Sequence, residues 1–169
     1  MAHFDSLIEQ KLLLREKLLE NQNVVNLLVN TGNNMAEFTN VETGSDSPAS
    51  DFIKTHFYVP GTTVRDKNFI TMRSRVLSGN GYWRNNDPVK YTSIVIDIIC
   101  NEDQIDLLQG SRADLLANEV DMILNRGDAL FGYGGIEIGQ AEEVEFIEGY
   151  YGWEIPFSTH EINRKAELL

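Results

Sequence analysis

Cysteine, histidine and long apolar runs are all scarce in this chain. A single cysteine, Cys100, excludes an internal disulfide and fits a reducing compartment, or a particle assembled in one. Set in an apolar run, it reads as a small buried hydrophobe rather than a nucleophile. The three histidines, His3, His56 and His160, have no second ligand three or four residues away, so metal-site spacing is missing. The longest apolar run, around residues 94–100, is interrupted by Asp97 and falls well short of the roughly 20 residues of a membrane span. The first residues carry neither a basic n-region nor an apolar h-region and are not expected to act as a secretory signal. Neither a Gly-x-Ser-x-Gly elbow nor a Walker loop is present. The glycine cluster at 132–135 precedes a strand pattern, so it reads as a turn rather than a phosphate cradle. Asp97 lacks the acid-x-Lys continuation that a metal-dependent nuclease would need, and is expected to pair with Arg73 or Arg75 on a neighbouring strand. No catalytic residue, cofactor, metal or membrane partner is expected.

Basic residues are also scarce, but only in one half. Residues 1–90 hold 10 Lys/Arg and 10 Asp/Glu, whereas residues 91–169 hold 4 and 16, so the second half carries the whole net charge of −12. An acidic half disfavours tight binding to phosphates, which requires cationic neutralisation. It suits a soluble surface, or a passage through which DNA slides without specific binding. On that second reading Glu137, Glu142, Glu143 and Glu145 face a lumen.

What is present describes one domain over residues 1–169. At 42% hydrophobic and 24% charged, the chain is able to build a core. Residues 6–30 have apolar positions at helical spacing; Ser6 with Glu9 suggests a capping box, and the Asn21-Gln22-Asn23 cluster suggests a break with Asn23 capping a second helix. Residues 31–68 lack a sustained period and are rich in turn formers. This is long for a loop inside a compact domain, and it reads as an inserted arm or long loop with an anchored end carrying Phe52, Ile53, Phe57 and Tyr58. Strands are expected at 69–76, 89–100, 136–138, 144–147 and 150–160, with a turn at 78–81 and a short return at Tyr82-Trp83. The strongest is 89–100, apolar on both faces and therefore central. Pro156 places the last strand at an edge or bulge. A second clear helix spans 111–125, with Ser111 and Asp114 as a capping pair and Arg112 oddly placed for the helix dipole. The order argues for an α+β fold, with a mainly antiparallel sheet of about four strands packed against two to three helices and a long inserted arm.

Three segments taken in order carry a family resemblance. They are the helix at 16–28, the strand at 93–100 followed by the helix pattern at 110–124, and the closing segment at 150–163. Together they resemble the tail-terminator and tail-completion proteins of the tailed-phage neck, over most of the chain outside 31–68. The resemblance implies a structural, non-enzymatic virion subunit, assembled in the host cytoplasm. Such a subunit forms a ring with itself, commonly a hexamer, that ends the tail tube and meets a head-side connector or stopper protein. A ring needs a heterologous interface that closes by rotation. Phe52, Ile53, Phe57, Tyr58, Tyr82, Trp83 and Arg112 are the candidate interface residues, since aromatics and arginine are enriched at such surfaces, and the arm would order on a neighbour during assembly. Another head–tail or baseplate adaptor would share this architecture; a small enzyme or a host binding module is the remaining alternative.

Overall fold

The alternation of residues 93–100 builds the centre of the molecule. A computed structural model describes residues 3–61, 67–75, 89–125 and 134–162. The helices are α1 (His3–Glu20), α2 (Gln22–Val29), α3 (Glu102–Ile105) and α4 (Arg112–Asn125). The strands are β1 (Ile53–Lys54), β2 (Phe69–Arg75), β3 (Val89–Asn101), β4 (Asp106–Leu107), β5 (Gly110–Ser111), β6 (Gly134–Ile138), β7 (Glu142–Ile147) and β8 (Tyr150–Ile162). Among the described residues the fold is α+β as expected. Its main sheet has six strands rather than about four: β1-β2-β3-β8 in sequence across the sheet, with β6 and β7 both pairing with the far side of β8. All pairings are antiparallel except β1 with β2.

One face of the sheet lies under the helices. Ile94, Ile96, Ile98 and Cys100 of β3, Ile70 and Met72 of β2, and Ile155 and Phe157 of β8 pack there. Against them lie Leu14, Leu18 and Leu19 of α1, Val24, Val25, Leu27 and Leu28 of α2, and Leu116, Val120 and Leu124 of α4. The break between the first two helices falls where the Asn cluster predicts, but the cap is Asn21, whose side chain accepts from the N–H groups of Asn23 and Val24. The first helix is already formed at His3, so Ser6 lies inside it and is not its cap. Trp153 of β8 is half-buried against this core, and its indole N–H donates to Asp114 of α4 at 2.7 Å.

The final strand is interior, not an edge. Proline is tolerated because of where its missing donor falls. The Pro156 carbonyl accepts from Gly139 N–H at 2.7 Å, so its N–H would point the same way, into the gap between β6 and β7 where no ladder bond is needed. β7 returns into β8 through Glu148-Gly149, with Gly149 at φ 82°, a positive value that suits glycine in a tight hairpin turn. Gly152 answers a different constraint: a Cβ there would sit 1.9 Å from the carbonyl oxygen of Ile98 on β3.

The described part of the expected arm or loop, residues 31–61 and 67–68, is folded onto its own subunit. Ala49 and Ile53 are in the core, Gly44 N–H donates to Leu19 O, and Ile70 N–H donates to Phe52 O. Arg15 reaches from α1 to the carbonyls of Ile53 and Ser50. Buried Asn68 holds the far end, donating to Gln104 at 2.9 Å and accepting from Asn101 N–H. Isolated apolar residues spaced through a polar loop serve as anchors, and these anchors find the chain's own sheet.

Candidate interaction surface

Among the described residues Arg112 is the largest fully buried side chain, with none of its surface exposed. Its Nε donates to Gln104 O at 2.8 Å, Nη1 to Asn30 O at 2.8 Å and also to Leu27 O, and Nη2 to Gly32 O at 2.8 Å. These carbonyls belong to the last turn of α2, the residues just beyond it, and α3. Helix ends leave such groups unsatisfied and partially negative. Arg112 therefore clamps the C-terminal end of α2 from the N-terminus of α4, which resolves its odd position for its own helix. Phe38 covers the guanidinium at 5.4 Å. Burial lowers the Arg112 pKa from its ordinary value, yet an arginine stays charged in proteins. This corrects its assignment to a subunit interface: its donors are spent inside the chain. Ile53, 1% exposed, is likewise a core residue and not a free contact.

The sheet face away from the helices is apolar at one end and charged in the middle. Phe69, Ile99 and Tyr150 cluster there with half-buried Phe52, Tyr58 and Phe146. Tyr58 packs tilted and Phe52 edge-on against Phe69, with ring centroids 5.1 and 5.8 Å apart, so these two candidate interface aromatics are largely committed to their own sheet. Phe57 differs: it is 49% exposed and lies over the Arg73 guanidinium at 5.3 Å. Tyr82 and Trp83 lie outside the described residues.

In the charged middle, Thr71, Asp97 and Glu154 are register partners across β2, β3 and β8. Arg73 grips Asp97 with Nε and Nη2, both at 3.0 Å, and also donates to Glu154. The sequence-level pairing of Asp97 with Arg73 is present. Burial pushes the Asp97 carboxyl above its ordinary value, by more than Arg73 pulls it down. Burial also disfavours the Arg73 charge, but Asp97 and Glu154 outweigh this and raise its pKa. Glu142 lies opposite Glu154 on β7, so the row ends in carboxylates.

The acidic residues singled out for a lumen share the far flank of β8. Glu142, Glu143 and Glu145 are exposed on β7, while Glu137 lies on β6 opposite Ser158, its side chain outside the described residues. Glu145 is close enough to Tyr151 to raise the tyrosine pKa. At the opposite edge, α1 and the β1–β2 margin enclose a groove of 240 Å³ lined by Leu7, Ile8, Lys11, Leu12, Thr55 and Ser74. Lys11 closes it by donating to Thr55 O and Met72 O at 3.2 and 3.3 Å; burial lowers its pKa. Sequence reasoning missed this groove, although the apolar positions Ile8 and Leu12 in the polar N-terminal helix were its signal.

Cys100 is fully buried, which pushes its thiol up to about 12; it is a packing residue. Among the described residues no cluster of three His, Cys, Asp or Glu side chains is suited to a metal ion, and no helix is long and apolar enough to cross a membrane.

No curated protein and no solved structure matches this chain. A family model matches residues 21–159, from the cap of α2 to near the end of β8. The match spans nearly all of the sheet and the helix layer except α1, and the chain therefore belongs to the YomW family, a phage-related family of the SPbeta-prophage type.

Proposed function

We propose that this protein is a structural virion subunit of the phage neck, a tail-terminator or tail-completion protein. It acts as a ring that ends the tail tube and meets the head-side connector. The observation that carries this reading is the form of the sheet, taken with membership of a phage-related family. Among the described residues, β2 beyond the short β1 and the outer side of β7 are both unpaired strand edges. Open edges present backbone donors and acceptors that natural proteins cover or use. Two unlike edges on one sheet are suited to a heterologous contact, the kind that closes into rings.

The test is the mass of the purified protein by light scattering, alone and with isolated tail tubes. The expected result is a closed ring, free or formed only at the tube end. A monomer that ignores tube ends at every concentration would refute the reading and favour another adaptor of the head–tail joint or baseplate.

A further inference from the structure

The two open edges differ in charge as well as position. The chain around the first edge, residues 53–57 and 67–75, contains Lys54, Lys67 and Arg75 and no carboxylate, besides Arg73, whose charge is engaged by Asp97 and Glu154. The second edge with its turn, residues 142–148, contains Glu142, Glu143, Glu145 and Glu148 and no cation. Lys67 and all four of these glutamates are exposed.

The exposed apolar residues divide the same way. Among the described residues the exposed large hydrophobics are Ile8, Leu12, Phe57, Leu108 and Ile147. Ile8 and Leu12 line the groove beside β2, Phe57 covers Arg73 at that margin, and Ile147 ends β7. Leu108 alone lies elsewhere, in the turn between β4 and β5. Backbone direction completes the pattern. Ile70 N–H points to the β1 side, and β2 alternates, so Met72 and Ser74 present their backbone groups on that side too. The Met72 carbonyl is already engaged there by Lys11.

We infer that the occupant of the β2 edge is a second copy of this chain, contributed through its β7. The acidic strand Glu142–Ile147 of one subunit lies along the basic margin of β2 in the next and extends the sheet from subunit to subunit. Backbone pairing supplies the register, and the opposite charges set which edge meets which. Ile8, Leu12 and Phe57 give an apolar centre with a charged rim, as interfaces have. The acids of β7 then serve the subunit contact instead of lining a channel. This inference deepens the ring reading and rests on it.

The experiment compares four full-length proteins by light scattering and sedimentation, with circular dichroism as a check of folding. They are the wild type, Glu143→Lys with Glu145→Lys, Lys54→Glu with Lys67→Glu, and a chain carrying all four exchanges. Each double variant is expected to assemble roughly tenfold or more weakly, because like charges then face each other. The fourfold exchange restores the ring, because the edges are again complementary. A further variant, Ser74→Pro, removes an edge N–H from an exposed position and weakens assembly without a charge change. Should the wild type form a ring that neither double variant nor Ser74→Pro alters, the edge pairing is wrong and the ring reading stands. If the wild type stays monomeric alone and with tail tubes, both fail.

Discussion

Replacing Arg112 tests the internal architecture most directly. In Arg112→Ala the four carbonyls of Leu27, Asn30, Gly32 and Gln104 lose their donor at once, and a cavity opens under Phe38. A hydrogen bond to a charged group contributes about 1.5–3 kcal/mol, and a simple sum would exceed the cost of most single substitutions. The Asn30 and Gly32 bonds are only partly buried, so water replaces part of them. Leaving the two fully buried carbonyls of Leu27 and Gln104 without a donor costs about 1–3 kcal/mol each, and with the cavity left behind the expected loss is about 3–5 kcal/mol. At about 2–4 °C per kcal/mol for a chain of this size, the melting temperature falls by about 6–20 °C. Arg112→Lys keeps the charge but offers three donors without the planar fork, so it is expected to fall between wild type and alanine. Urea unfolding followed by far-UV circular dichroism measures the loss, and hydrogen exchange localises it to residues 27–34. A cost below about 1 kcal/mol for alanine would refute the clamp, since it would mean that these carbonyls find other donors.

Three further outcomes follow from the geometry. Gly152→Ala places a methyl carbon into the Ile98 carbonyl and is expected to cost at least about 1–3 kcal/mol by forcing β3 and β8 apart; an unchanged urea midpoint would show that the strands separate freely. Arg73→Met leaves the Asp97 carboxylate buried without its bidentate partner and is expected to cost about 3 kcal/mol near neutral pH. Because the Asp97 pKa is already raised in the folded state, the folded form takes up a proton before the unfolded one. The Arg73→Met deficit should therefore shrink as pH falls toward the ordinary carboxylate value of 3.8, and a pH-independent deficit would contradict this. The buried Cys100 thiol should resist alkylation until the protein unfolds. Its pKa is raised from 9.0 to about 12, so its contribution to stability is complete below 9 and lost as pH rises toward 12. Over that window the wild type should lose up to about 1.4 kcal/mol per pH unit more than Cys100→Ala, as measured by paired denaturation curves.

Much of this molecule was legible along the chain because its signals are local. The Ile94-Val95-Ile96-Asp97-Ile98 alternation fixes β3 and its two faces, the stripe of Leu116, Val120 and Leu124 fixes α4, and an odd polar residue inside an apolar strand pointed to the Asp97–Arg73 pair. Local pattern does not report which strands neighbour one another. It therefore misplaced Pro156, which is interior because the break between β6 and β7 removes the need for its N–H. It left residues 31–68 open between a loop and an arm that docks on a neighbour, because apolar anchors look alike whether they dock on a neighbour or on their own sheet. Arg112 looked like a surface residue, because the carbonyls that hold it come from residues about 80 positions away. The opposed basic and acidic edges were half visible as a charge asymmetry. Only the sheet order, which puts β2 and β7 on opposite margins, turns that asymmetry into two surfaces, because charge is a property of composition and an edge is a property of topology.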